Sequence, residues 1–299
     1  MHIWQQFLKI DKFRKNGKLP PIKDDERLSI LLKNLVKNKD IPETLGNCLR
    51  TVGSQPAKLY GLPKVHKKDI SMRPVLSMVN TAQYTIAKYL DHLLKPLLFS
   101  KYECKDSFEF VNFISNLEVN TNTEHMVSFD VVSLFTNVPL NETIDLCCEI
   151  WKMNTEGQKF LSVFAFKELL LFATSNVNFL FNEEWYKQVD GVAMGSPLAP
   201  TLASIFLSSI EDKINLFMGI KPNVYKRYVD DIFLVFSHEK YILPFLNYLN
   251  SLHGNIKFTV ENEKSGFLPF LDIMIERKLL NYETGIYRKP TDTGLYTPC

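Results

Sequence analysis

The chain has 299 residues, 45% hydrophobic and 23% charged, enough apolar material for one large globular unit or two subdomains. Its 35 Lys and Arg against 33 Asp and Glu leave a net charge of only +2, which excludes a polycation and makes any nucleic-acid surface a local one. Five cysteines without a CxxC pair exclude a disulfide framework and a zinc pattern, and point to a reducing intracellular compartment.

The first eighteen residues carry charges throughout and lack the apolar core of a signal peptide. Residues 24–38 place Leu28, Leu31, Leu32 and Leu35 on one face behind an acidic start, the pattern of a helix. A loop is expected over 41–56. In 57–75, Gly61, Pro63 and Pro74 forbid a helix, so a β-hairpin or extended flap is expected. Helices are predicted over 80–98, ending near Pro96, and over 107–118. Residues 125–130 read as a strand ending in an aspartate. A helix over 140–151, with Asn141 as its cap, and an apolar helix over 160–172 follow.

Residues 178–188 alternate as a hairpin does. Residues 191–210 are uncharged, but Gly195, Pro197, Pro200 and several hydroxyls make them a poor membrane span. They are expected as a loop feeding a buried helix over 200–213, and no membrane association is expected. A hairpin centred on Asp230 and Asp231 comes next, then a helix over 242–252. Strands are predicted at 256–260 and at 270–277, the latter pairing with 285–289. Helices alternating with antiparallel hairpins define an α+β fold, with no repeat and no low-complexity segment.

The most informative segment is YKRYVDDIFLVF, residues 225–236. Two adjacent aspartates interrupt a run that otherwise reads as two buried strands. Unpaired buried carboxylates are costly, and a hard divalent cation is the natural neutraliser. The competing reading is a solvent-exposed hairpin tip, where Asp-Asp is ordinary turn chemistry. Asp130 ends its own strand in a similar way. Two adjacent antiparallel strands would bring Asp130, Asp230 and Asp231 to one place, where three carboxylates can hold two Mg2+ ions.

The motifs FDVVSLFTNVP (129–139), GVAMGSPLAP (191–200) and YVDD (228–231) occur in that order. They resemble motifs A, B and C of reverse transcriptases. LYGLPKVHK (59–67) followed by RPVLS (73–77) resembles the fingers region, and the wording is nearest to Penelope-like retroelements. The resemblance runs from about Leu59 to Arg288. It implies a right-hand fingers–palm polymerase with an antiparallel palm sheet. Residues 1–56 would be an N-terminal helical extension, 57–124 the fingers and 125–299 the palm, with the thumb absent or truncated.

The implied activity is RNA-directed DNA synthesis, with template RNA, a DNA primer end and dNTPs as partners. Asp130, Asp230 and Asp231 match the catalytic metal ligands, for two Mg2+ ions, with Mn2+ as a substitute. Lys64 and Arg73 match fingers positions that meet the incoming nucleotide, although a solvated basic loop fits the same charges. Phe135 matches the aromatic gate that excludes a 2′-hydroxyl, and otherwise is a core Phe. Gly195, Ser196 and Pro197 match motif B, where glycine permits close backbone approach. Other branches of the family have Gln where this chain has Met194.

Lys264 in VENEKSG fits a motif D lysine or an exposed charged turn, the turn being preferred. FLPFLDIMIER (267–277) corresponds to a primer-grip hairpin, with Asp272 structural. GIY at 285–287 has too little chain after it for the GIY-YIG nuclease that often follows this polymerase, and is read as strand. Nuclear action follows only from the resemblance to chromosomal retroelements, and nothing sets the oligomeric state. Two rivals fit parts of the pattern: a decayed copy that binds nucleic acid without polymerising, and a metal nuclease using similar carboxylates.

Overall fold

The computed structural model describes residues 12–17, 23–64, 71–119, 123–154 and 160–288. In chain order, β1 (Phe13–Gly17), α1 (Asp24–Lys37), α2 (Glu43–Leu49), β2 (Ala57–Lys64), β3 (Ser71–Ser77), α3 (Ala82–Leu94) and α4 (Ser107–Ser115) come first. Then come β4 (His125–Val131), α5 (Leu134–Asn137), α6 (Leu140–Asn154), α7 (Val163–Thr174), β5 (Val177–Phe181), β6 (Glu184–Gln188) and α8 (Ala199–Glu211). β7 (Val224–Tyr228), β8 (Asp231–Phe236), α9 (Ile242–Leu252), β9 (Phe258–Asn262), β10 (Phe267–Phe270), β11 (Ile273–Arg277) and β12 (Tyr282–Ile286) follow. The strands pair antiparallel, apart from a short parallel contact of β2 with β5.

The chain forms two compact units, each drawn from separated stretches. The first takes its described residues from Met1–Lys64, Ile70–Phe99 and Phe135–Phe206, the second from Ser100–Leu134 and Leu207–Cys299. The sheet of the first unit runs β1-β6-β5-β2-β3 and takes strands from both sides of β4 in sequence. Its core packs Ala57, Leu76, Met78, Val177, Phe179 and Ala193. Phe13 meets Phe179 edge to face at 5.7 Å, so β1 is an integral edge strand and residues 1–56 are not purely helical.

Within the first unit, α1 forms where the leucine spacing predicts it, with Leu28, Leu32 and Leu35 buried and Asp24, Asp25 and Glu26 in its first turn. The expected loop over 41–56 contains α2. β5 and β6 join through Asn182 and Glu183, both at positive φ, the pattern of a type I′ turn. Asn141 lies inside α6 and does not cap it. The Leu140 amide at the start of that helix instead donates to the Asp190 carboxylate at 3.2 Å, and Lys12 pairs with the same carboxylate. Burial pushes the Asp190 carboxyl up, but hydrogen bonds from Lys12, Gly191 and Leu140 outweigh it and hold the group below its ordinary value of 3.8.

The second unit holds a four-stranded sheet in the order β7-β8-β4-β9 and a three-stranded sheet in the order β10-β11-β12. In β8, Ile232 through Phe236 are all buried, so both faces of the strand are covered. One face carries Phe233, whose ring lies 5.2 Å from Phe110 of α4 and 5.7 Å from Phe270 of β10. Phe245 of α9 packs near Phe236 and Phe129 at 5.7 and 6.5 Å, and cross-strand register puts both on the other face.

Residues 267–277 form a hairpin: the strand expected over 270–277 is present as β11 from Ile273, and Phe270 ends β10. Leu271 adopts φ 55°, and the chain folds there into the β10–β11 hairpin. β12 pairs over 282–286, so Met274 sits opposite Gly285. The strand expected at 256–260 runs over 258–262.

Asp190→Ala is expected to lower stability by about 1 kcal/mol at neutral pH, because it removes a half-exposed helix cap. A carboxyl with a depressed folded-state pKa stabilises above its unfolded value and loses that effect as pH falls through the folded value. Urea denaturation of the two proteins at pH 7 and near pH 3 should show the difference shrinking in acid.

Candidate active site

The β4–β8 ladder runs from His125 opposite Phe236 to Asp130 opposite Asp231. Direct partners in an antiparallel pair point to the same face, with Cβ atoms about 4.5–5.5 Å apart. Asp130 and Asp231 are therefore neighbours, a hundred residues apart in the chain. The strand register has no freedom to separate them, since a slip by one residue would turn every side chain of the buried run over. The carboxylates lie where burial ends: Asp130 is exposed, and Asp230 and Asp231 are half-buried.

Asp230 occupies the two-residue turn between β7 and β8, closed by Tyr228 opposite Asp231. The metal reading and the hairpin-tip reading of the Asp-Asp pair thus describe one place. Val229, the first turn residue, has φ 54°. A β-branched residue there is an outlier costing on the order of 1–3 kcal/mol, the kind of strain that concentrates at functional sites. The turn is tied to β4, since the Val131 amide donates to the Asp230 carbonyl at 3.1 Å.

Among the described residues, no group of three or more His, Cys, Asp or Glu side chains forms a metal cage by itself. Mg2+ does not require one, because it is usually held by one or two carboxylates together with substrate phosphates and water. Asp130 opposite Asp231, with Asp230 in the adjoining turn, fits that mode.

Behind the turn lies the largest fully buried side chain of the described residues, Arg227. Its Nε donates to Glu211 Oε1 at 2.6 Å and its Nη2 to Glu211 Oε2 at 3.2 Å, a bidentate fork. Its Nη1 reaches the Val229 carbonyl at 3.4 Å and lies 3.7 Å from Glu103 Oε1. Burial works against the guanidinium charge, but Glu211 and Glu103 more than offset it, so Arg227 stays charged. Burial raises the Glu211 carboxyl, opposed by Arg227 and by the Ser100 hydroxyl. Removing one member of such a buried pair leaves the other uncompensated, at a cost of about 3–5 kcal/mol.

The first unit contains a cavity of about 340 Å3 lined by Val79, Tyr84, Phe135, Met194, Gly195, Ser196 and neighbouring prolines and alanine. That volume lies within the range of small-molecule sites. Phe135 sits in the one-turn α5, and its carbonyl accepts from the Val192 amide at 2.7 Å. The Leu76 amide of β3 donates to the Met194 carbonyl at 2.8 Å. Gly195 has φ +120°, and a Cβ there would lie 2.6 Å from the Leu76 carbonyl oxygen. The close backbone approach expected of this glycine is therefore made to strand β3. The buried Ser196 hydroxyl has no hydrogen-bond partner among the described residues, an orphan in the cavity wall.

Lys64 pairs with Ser71 and Arg73 with Leu62, so these basic positions lie diagonally at the outer end of the β2–β3 hairpin. Lys264 pairs with Phe267 around Ser265 and Gly266, both at positive φ, so it stands in an exposed turn. The Asp272 carbonyl accepts from the Tyr287 amide, a structural contact. Arg227, Glu211, Val79 and Tyr84 are not singled out by the sequence. Glu211 does leave a trace there, as the first charge after the uncharged run 191–210.

A model of the reverse transcriptase (RNA-dependent DNA polymerase) family matches residues 65–279, more than half of the chain. The chain belongs to the reverse transcriptase family. No curated protein matches its sequence. Apo telomerase from Candida tropicalis, truncated from its C-terminal domain, is similar with a TM-score of 0.56 at 15% identity, covering 87% of this chain and 60% of that one. C. tropicalis telomerase in complex with a fragment of telomeric RNA gives 0.57 at 16% identity, over 84% and 48%. A structure described as RNA-dependent RNA polymerase, vp4 and dsRNA gives 0.50 at 13% identity, over 86% and 25%. At such identities the likeness concerns fold alone, and that fold is the fingers–palm polymerase architecture with antiparallel sheets. This reverse transcriptase chain spans about half to three-fifths of the telomerase chains it resembles. No helix among its described residues is long and apolar enough to cross a membrane.

Gly195→Ala is expected to destabilise the protein by about 2 kcal/mol or more, since the new methyl meets backbone and the positive φ disfavours it. Thermal denaturation should show a clear fall in Tm; an unchanged Tm would mean that the loop does not approach β3 as described.

Proposed function

We propose that this chain is an RNA-directed DNA polymerase of retroelement origin, nearest in its motifs to Penelope-like elements. It extends a DNA 3′ end with dNTPs on template RNA. One observation carries the reading: within a reverse transcriptase domain, Asp130 of motif A and Asp231 of motif C are direct cross-strand partners. A divalent pair at this edge would supply Lewis-acid activation of the primer hydroxyl and neutralisation of the leaving pyrophosphate. The chain's own part would be to hold Asp130 and Asp231 at the end of the β4–β8 ladder, with Asp230 in the adjoining turn, as ligands.

Further roles follow from the motif positions. Lys64 and Arg73 would meet the triphosphate, by a point charge and a bidentate fork respectively. The Ser196 hydroxyl offers an unused donor and acceptor in its cavity. Phe135, five residues after Asp130, would reject a ribose 2′-hydroxyl. Backbone contacts to nucleic acid would be electrostatic and would weaken as salt rises. An enzyme of a chromosomal element would act in the nucleus.

Primer extension on poly(rA)/oligo(dT) with Mg2+ tests the activity. Wild type is expected to incorporate dTTP, and Asp230→Asn to lose at least about a hundredfold in kcat, as expected for loss of transition-state charge stabilisation. Equal rates in both would reject the assignment, and primer–template binding without extension would favour a copy that binds but does not polymerise. For the gate, Phe135→Ala is expected to raise ribonucleotide incorporation relative to deoxynucleotide. Unchanged selectivity in competition between dTTP and rUTP would remove Phe135 from that role.

A further inference from the structure

We infer that Arg227 is a positioning residue for the carboxylates of the β7–β8 turn, acting from behind the sheet through the backbone of Val229. The inference rests on the polymerase reading for what those carboxylates do.

Register sets the geometry. Tyr228 pairs with Asp231, and Arg227 pairs with Ile232. Side chains alternate along a strand, so Arg227 lies on the face opposite Asp130 and Asp231. It therefore meets neither metal nor nucleotide, and its influence has to pass through the chain. A route exists. Arg227 is fully buried, forked onto Glu211 at the end of α8, and its Nη1 reaches the Val229 carbonyl at 3.4 Å. Its backbone is bracketed as well: the Arg227 amide donates to the Tyr102 carbonyl and the Cys104 amide to the Arg227 carbonyl, each at 2.7 Å. Arg227, two positions before Val229, is thus fixed at main chain and side chain together.

Val229 holds a positive φ that a β-branched residue does not adopt unaided, so the turn needs a restraint. Lysine in place of Arg227 keeps the charge but cannot fork onto Glu211 and reach Val229 at once.

The test uses the full chain as wild type, Arg227→Lys, Glu211→Gln and Asp230→Asn. Mn2+ affinity is read from the free-ion EPR signal, folding from circular dichroism melts, and kcat and KM for dTTP from primer extension. The folded Arg227→Lys and Glu211→Gln variants are expected to bind Mn2+ about tenfold more weakly, the usual effect of losing an outer support of a metal ligand. Their kcat should fall and partly recover at high metal, with KM for dTTP little changed, a split that a general loss of stability would not produce. Folded variants that bind Mn2+ like wild type overturn the inference. Should Arg227→Lys fail to fold, Glu211→Gln decides by the same readings, because it keeps the side chain's shape while replacing one acceptor of the fork by a donor. A wild type that binds Mn2+ no better than Asp230→Asn and does not extend primer overturns the polymerase reading and this inference together. A wild type that does both, with unaffected Arg227 and Glu211 variants, overturns the positioning role alone.

Discussion

Two carboxylates face each other across adjacent strands, and the packing of the second unit makes that tolerable. Like charges directly opposite in a ladder repel. Asp130 and Asp231 stay opposed because the apolar residues below them allow no other register: Met126, Val127 and Phe129 on β4 and Ile232 through Phe236 on β8 are buried. Both positions lie at the end of the ladder where burial stops, Asp130 exposed and Asp231 half-buried. On the proposed function, a hard divalent ion bound there would rest on a well-packed sheet.

The same logic recurs in the turn. Val229 is strained, and the strain persists because the surroundings over-determine it, through Arg227 on one side and the bond from Val131 to Asp230 on the other. In the first unit the device is different. There the loop around Gly195 is set by backbone contacts to β3, and only a residue without Cβ can make that approach.

Elements with strong periodicity are legible in the sequence. The leucines of α1, the hairpin of β2 and β3, and the buried run of β8 all signal their structure through local pattern. What local pattern hides is which residue of a turn takes the unusual backbone conformation. Residues 267–277 turn at Leu271 and Asp272, and although Asp272 is an ordinary turn residue, it is Leu271 that takes the positive φ. The cap of α6 escapes the sequence for a related reason, since Asn141 is nearby in sequence and Asp190 is nearby in space. Asp130 and the Asp-Asp pair are readable because carboxylates in apolar strands are anomalous. Arg227 is not, because an arginine in the run Tyr-Lys-Arg-Tyr reads as a surface residue until its partner Glu211 is placed.

The central claim is that Asp130 and the Asp230–Asp231 turn jointly hold the metal ions of nucleotide transfer. The most direct measurement is an anomalous difference map from crystals grown with Mn2+, a terminated primer on template RNA, and the matching dNTP. Manganese peaks are expected in contact with Asp130 and Asp231 and with the triphosphate. Bound nucleotide with no manganese at those carboxylates would contradict it.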